Sequence, residues 1–277
     1  MNADLHCHSS ASDGLLSPAG VVRRAKTNGV ELLALTDHDE ITGLAEARNE
    51  ASGLGVDFVD GVEISVSWGA DHTLHIVGLG IDTGNEALRA GIAGVRSGRD
   101  QRARRIASAL ENVGICGAYE GALRHAGNPA LVGRAHFARY IVELGLVRES
   151  RNVFEHWLAK GKLGYVPHPW ANLADALSWI RVAGGVAVLA HPGRYRVART
   201  ELHRMLAEFK EQGGEGIEVV SGLQTPAEVH ECAGLARRFG FLASCASDFH
   251  GPDESRVDVG RARSLPDNLT PVWVRLR

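Results

Sequence analysis

The chain has 277 residues, 30 Lys+Arg against 33 Asp+Glu, and a formal net charge of −3. Its 44% hydrophobic and 23% charged residues exclude wholesale disorder, and the charge lacks the basic footprint of a duplex nucleic-acid binder. No apolar run approaches the roughly 18 residues of a membrane span, and the four cysteines show no CxxC pairing that would signal a disulfide framework or zinc ribbon. The opening MNADLH lacks the basic and apolar regions of a signal peptide, so a reducing cytoplasm is the expected setting. At roughly 150 residues per domain, one large domain or a domain with an insertion is expected.

In chain order, residues 4–9 (DLHCHS) read as the end of a first strand. Ser17-Pro18 then supplies an N-cap followed by proline at the first helical position. The helix it opens carries Val21, Val22 and Ala25 on one face and should end at Asn28-Gly29. Residues 31–36, 56–62 and 74–79 read as buried strands, with a helix over 40–53. After a long middle section the rhythm resumes: strand 186–190, helix 201–213, strand 216–220, helix 226–240 and strand 241–246. Alternation of this kind predicts parallel βα units, and seven or so strands predict a closed or partly closed β/α barrel.

The middle section breaks the pattern. Residues 96–165 look helical throughout and hold 12 Lys+Arg against 6 Asp+Glu, whereas the remainder holds 18 against 27. The predicted organisation is therefore an acidic barrel from 1–95 and 166–277, with a basic helical insertion at 96–165 lining the substrate pocket.

Most of the predicted strands stop at a polar residue able to bind metal. His6 and His8 are two apart, so on a strand they share a face, while Cys7 points the other way into the core. Asp13 follows in the loop. His38, Glu63, His191, and Asp248 with His250 mark further strand ends, and His75 lies inside a strand. A β/α barrel carries its active site at the C-terminal ends of its strands. Nine such residues, six of them histidine, exceed the three or four protein ligands of one zinc and suit two or three divalent ions. Nitrogen and oxygen donors without thiolate fit manganese, iron or zinc, with manganese the first expectation. Asp37 and Asp39 read as partners that orient ligands, or, for Asp39, as a cap for the next helix.

As an ordered set, DLHCHSSASDG (4–14), TDHD (36–39), GVEIS (61–65), the histidine of LHIVG (75), AHPG (190–193) and SDFHG (247–251) resemble the PHP (polymerase and histidinol phosphatase) family of metal-dependent phosphoesterases. The resemblance implies a distorted (β/α)7 barrel with a trinuclear metal cluster. It places His6, His8, Glu63 and Asp248 on one ion, Glu63, His75 and His191 on a second, and Asp13, His38 and His250 on a third. Members with a helical insertion resemble the subgroup that hydrolyses nucleoside 3′,5′-bisphosphates at the 3′-phosphate and trims short 5′-phosphorylated RNA from the 5′ end.

In that reading Arg99, Arg102, Arg134 and His136 hold the 5′-phosphate, because helix N-termini and arginine forks both favour phosphate. The expected substrate is a nucleotide or short single-stranded RNA, with neither membrane nor stable duplex as partner. Histidinol phosphatase is the rival within the fold, disfavoured by the basic insertion. A polymerase-associated module would sit in a much longer chain. A non-catalytic metal- or nucleic-acid-binding module is the rival from another class, and the complete ligand set argues against it.

Overall fold

Seven strands form the barrel in the order β1 (Ala3–Asp4), β2 (Leu32–Leu35), β3 (Asp57–Trp68), β4 (His72–Leu79), β6 (Val186–Leu189), β7 (Gly216–Ser221) and β8 (Leu242–Ala246). The computed structural model describes residues 1–69 and 72–276. An eighth, two-residue strand, β5 (Ala171–Asn172), flanks β3 outside this path. The ends of the sheet meet: Leu5 N–H donates to Cys245 O at 3.0 Å, Asp248 N–H to His6 O at 2.9 Å and His8 N–H to Phe249 O at 2.8 Å. The result is the expected distorted (β/α)7 barrel, nearly closed.

Strand residues alternate between two apolar clusters, as a period of two requires. Leu5, Ala34, Val77 and Val188 fall in one. Leu33, Leu35, Ile76 and Leu189 pack in the other with helix residues such as Val21, Val22 and Phe209.

Several local expectations are met. α1 (Pro18–Thr27) starts where Ser17 Oγ accepts the Gly20 N–H at 3.1 Å, and buries Val21, Val22 and Ala25. It ends at Asn28, with Gly29 in the left-handed region that glycine tolerates (φ 79°). α9 (Arg199–Glu211) and α10 (Pro226–Phe239) match the helices expected at 201–213 and 226–240, and a further helix, α8 (Leu173–Val182), covers the second half of the barrel with them.

Three expectations are corrected. β1 is shorter than predicted, so His6 and His8 lie beyond it and are kept in line by the hydrogen bonds to residues 248–249. α2 spans Leu44–Leu54, not 40–53, because Glu40 Oε1 accepts the Ile41 and Thr42 N–H groups (2.8 and 2.9 Å) and holds the chain in a turn. β4 runs antiparallel to both β3 and β6. A parallel crossover needs a dozen or more residues, and the link between β3 and β4 has too few for anything but a hairpin.

From residue 80 to 170 the chain contains no strand. α3 (Glu86–Arg96) packs Leu88 and Ile92 on the barrel core. α4 (Arg99–Glu111), α5 (Ala118–Arg124), α6 (Arg134–Glu143) and α7 (Ser150–Val153), with a π-helical turn at Phe154–Leu158, follow. They share a separate core around Ile106, Leu110, Phe137, Ile141 and Leu158. No described helix is long and apolar enough to cross a membrane.

Ile64 is fully buried in the centre of β3. Ile64→Ala is expected to lower the unfolding free energy by about 2–5 kcal/mol, and Ile64→Val by about 0.5–1.5 kcal/mol. Denaturant titration checks this; equal midpoints for both variants and the parent would show that β3 does not carry the core.

Candidate metal centre

The rim of the barrel is shaped by local backbone that ordinary residues avoid. Asp39 (φ 49°), His191 (φ 32°) and Asp248 (φ 54°) are the non-glycine residues with positive φ among those described, and each follows a strand-end region. Such strain persists only where neighbours over-determine it. Asp39 N–H is held by Glu63 O (2.8 Å) and Asp248 N–H by His6 O (2.9 Å). His191 N–H is held by the Glu218 carboxylate (2.7 Å).

These bends bring all nine sequence-predicted residues to one place. His6 Nε2 and His8 Nε2 lie 3.0 Å apart. Both approach Glu63 Oε2, at 3.2 and 3.4 Å, and Asp248 Oδ1, at 3.6 and 3.3 Å. The other Glu63 oxygen meets His75 Nδ1 at 2.8 Å and His191 Nε2 at 3.3 Å. Around Asp13 stand His250 Nε2 at 3.5 Å and His38 Nε2 at 4.0 Å. His38 also reaches Glu63 with Nδ1, at 2.7 Å. His75 sits inside a strand because β3 and β4 form a hairpin that extends past the rim. The level of the cluster therefore falls at mid-strand, where Ser65 pairs with His75.

This donor set fits divalent cations. Among the described residues, buried His8 Nδ1, Asp13 Oδ1, His38 Nδ1, Glu63 Oε2 and His191 Nδ1 make no well-aligned hydrogen bond, the close His38–Glu63 pair being an ion-pair contact only, although buried polar atoms are normally satisfied. Three groups of donor atoms could each hold an ion: His6, His8 and Asp248; His38, Glu63 and His75; His8, Asp13, His38 and His250. Each group shares a histidine with another: His8 belongs to the first and third, and His38 to the second and third. All donors are nitrogen or carboxylate oxygen, the set that suits manganese, iron or zinc.

Electrostatics within the cluster are strongly coupled. Burial pushes the Glu63 carboxyl up, but His38, His6 and His75 hold it well below the ordinary carboxylate range. Burial likewise acts against Asp248, and Arg194, His8 and His250 outweigh it. Burial and the charges of His250 and His38 push His8 down to about 3. His38 rises to about 9 despite burial, because Glu63 and Asp13 face it.

A second layer of groups holds the donors. Glu218, on β7 at a shift in register with β8, accepts from His6 Nδ1 at 2.6 Å and from His191 N–H. Tyr195 Oη accepts the His75 N–H at 3.0 Å. Asp37 and Asp39, expected to orient ligands, contact no imidazole through hydrogen bonds. Asp37 instead accepts from Ser9 N–H, Ser9 Oγ and Ser12 Oγ at 2.5–2.8 Å, and burial lifts its carboxyl to about 6. Asp39 takes the N–H and Oγ of Ser65 and pairs with Arg99. It caps no helix, since α2 begins after Gly43.

The cluster opens into a cavity of about 620 Å³ whose wall includes Arg99, Arg102 and Arg134. Arg99 and Arg102 are buried and stack over the Trp170 ring at 4.7 and 5.3 Å. Burial together with Arg134 and Arg99 lowers Arg102 to about 9. The hydrogen bonds of Arg102 and Arg134 go to backbone carbonyls of Val166 and Leu158, so of the three cations it is Arg99 that has a carboxylate partner, Asp39. His136, expected beside them, is fully buried and does not line the cavity. Its Nδ1 accepts the Gly133 N–H at 3.0 Å and fixes the start of α6.

Glu218, Arg194 and Trp170 escaped the sequence reading. Glu218 could have been noticed as an acid inside the apolar run GIEVV, and Arg194 as the cation three residues after His191. Trp170 carries no signal in the sequence.

A nearly closed β/α barrel with buried imidazoles and carboxylates gathered at the strand ends defines the class of metal-dependent hydrolases. Within that class the chain belongs to the PHP domain family, whose model matches residues 4–222. It is 50% identical over 275 residues to a 3′,5′-nucleoside bisphosphate phosphatase of Chromobacterium violaceum, covering 99% of this chain and 96% of that protein. It is 44% identical over 272 residues to the 5′-3′ exoribonuclease Rnm of Salmonella typhimurium, covering 98% and 92%. The solved structure of an amidohydrolase from C. violaceum, with bound sulfate and no metal, is similar with a TM-score of 0.96 at 50% identity, covering 100% of this chain and 96% of that one.

Glu218→Gln removes the charge that orients His6. Metal affinity is expected to fall by about 10- to 100-fold, read by titrating the metal-freed protein with Mn²⁺; unchanged affinity would show that His6 needs no such partner.

Proposed function

We propose that this protein is a metal-dependent phosphoesterase that removes the 3′-phosphate of nucleoside 3′,5′-bisphosphates, such as adenosine 3′,5′-bisphosphate to AMP. We also propose that it trims short 5′-phosphorylated RNA in the 5′-to-3′ direction. The observation that carries the reading is a single cavity with the imidazole–carboxylate cluster on one part of its wall and Arg99, Arg102 and Arg134 on another. A substrate with two phosphates suits such a wall: one meets the cluster and the other meets the arginines. The names of the phosphatase and exoribonuclease relatives support both activities.

His6, His8, Glu63 and Asp248 would hold one ion, Glu63, His75 and His191 a second, and Asp13, His38 and His250 a third, with manganese preferred over iron or zinc. When bound, such ions neutralise phosphate oxygens and acidify water toward neutral pH. Glu63, with one oxygen facing His6 and His8 and the other facing His75 and His191, would serve both of the first two sites. Arg99, Arg102 and Arg134 supply forked donors to the phosphate that stays on the substrate. Trp170 keeps two of those guanidinium groups in place, and His136 supports Arg134 from behind by fixing the helix start. Arg194, paired with Asp248 and half-exposed, adds a cation beside the cluster. The helical segment 96–165 thus acts as the specificity wall of a barrel formed by 1–95 and 166–277. A cytoplasmic setting suits the four free thiols.

The test is turnover with Mn²⁺ of adenosine 3′,5′-bisphosphate, histidinol phosphate and a 5′-phosphorylated oligoribonucleotide. The first and third are expected to react; turnover of histidinol phosphate alone would transfer the protein to the rival activity. Losing charge-assisted hydrogen bonds worth about 1.5–3 kcal/mol, Arg134→Ala should raise KM for the bisphosphate by about 10- to 100-fold. A nucleoside monophosphate lacking the 5′ group should be little affected. His38→Ala should abolish turnover of every substrate, and a variant that still processes any of them would remove His38 from the centre.

A further inference from the structure

Asp13 reaches the cluster on a loop, residues 9–14, that is held from two sides. The barrel holds its start through Asp37, which accepts from Ser9 and Ser12. The helical segment holds its far end. Arg139, on α6 and only 6% exposed, donates through Nη2 to the backbone carbonyl of Asp13. The same guanidinium forms a bidentate pair with Glu254, Nε and Nη2 each 2.7 Å from a carboxylate oxygen.

Glu254 belongs to the segment that follows His250, and its N–H donates to Gly251 O at 3.3 Å. The loop and this segment also meet directly, Leu15 N–H donating to His250 O at 2.7 Å. The fork of Arg139 thus ties the carbonyl of Asp13 to the carboxylate of Glu254, four residues beyond His250, and the side chains of Asp13 and His250 stand 3.5 Å apart. A second contact supports the loop, where Asn128 Nδ2 donates to Ala11 O at 3.2 Å. Beside it, a Cβ on Gly127 would lie 2.4 Å from Ser10 O, so the approach is as close as backbone allows.

We propose that Arg139 is a positioning residue for the cation site formed by Asp13, His38 and His250. It lies outside the cavity and acts by fixing the spacing of Asp13 and His250. The proposal rests on the metal-centre reading above. Its action falls mainly on that site, because three of the other donors have their own supports: Glu218 holds His6 and His191, and Tyr195 holds the His75 backbone. The planar guanidinium fork is what allows one side chain to serve a carbonyl and a carboxylate together. Neither contact survives replacement by a neutral amide of shorter reach.

The full chain, freed of metal, is titrated with Mn²⁺ alone, and bound ions are counted by calorimetry and electron paramagnetic resonance. The unsubstituted protein is expected to bind three. In Arg139→Gln one of the three should weaken by about 10- to 100-fold, and the other two, which meet it through His8 and His38, should weaken clearly less. The coupled resonance signal of the ions sharing Glu63 should persist.

Glu254→Gln, which keeps the arginine and breaks only its charged partner, should act in the same direction, and decides the matter if Arg139→Gln does not fold by circular dichroism. Three ions held at parental affinity in the folded variants overturns the proposal, as does equal weakening of all sites or a parent that binds only two. A parent that binds none overturns the metal-centre reading instead.

Discussion

The structure turns on one buried carboxylate. Glu63 is shielded from solvent and faces five imidazoles, those of His6, His8, His38, His75 and His191. Taking a carboxylate out of water costs several kcal/mol even after relaxation, so the charge is tolerable only where positive partners surround it. The imidazoles meet that demand in part, and cations at the same place would meet it fully. The barrel rim is arranged around this requirement, since the five histidines come from four separate regions of the chain and have no reason to meet otherwise.

Bringing them together strains the backbone, and the strain is local. The left-handed conformations of Asp39, His191 and Asp248 each set a direction that a relaxed strand end would not. Their N–H groups are all engaged by other parts of the rim, so distortion at one strand is balanced by hydrogen bonding to its neighbour. Glycine appears where the rim is tightest: a Cβ on Gly14 would lie 2.5 Å from His8 O, so the loop that carries Asp13 can double back only at a residue without a side chain.

The helical segment is more than a lid over the barrel. Its polar anchors fall on the loops that carry the cluster, with Arg96 on Glu40, Arg99 on Asp39, Asn128 on Ala11 and Arg139 on Asp13. Arg99 belongs to both worlds, since it lines the cavity and grips the residue next to His38. Substrate recognition and the geometry of the cluster therefore share a structural element, although the segment keeps a hydrophobic core of its own.

Much of this was legible in the amino-acid order. Strand-end histidines and acids are short-range signals, and the αβ rhythm, the caps of α1 and the strand-free middle follow from local propensity and spacing. The alternation of Glu63, Ser65 and Ser67 with Ile64, Val66 and Trp68 is also present, yet β3 runs to Trp68, beyond the expected 62, because the polar face of a rim strand looks like a loop. The reversal of β4, the delayed start of α2, the burial of His136 behind Gly133 and the roles of Glu218, Trp170 and Arg139 were not legible. Sequence fixes which side chains are available and roughly which element each rides on, because those depend on neighbours a few positions away. Which atoms meet depends on chain reversal, barrel closure and contacts between residues more than a hundred positions apart, and only the packed tertiary structure decides those.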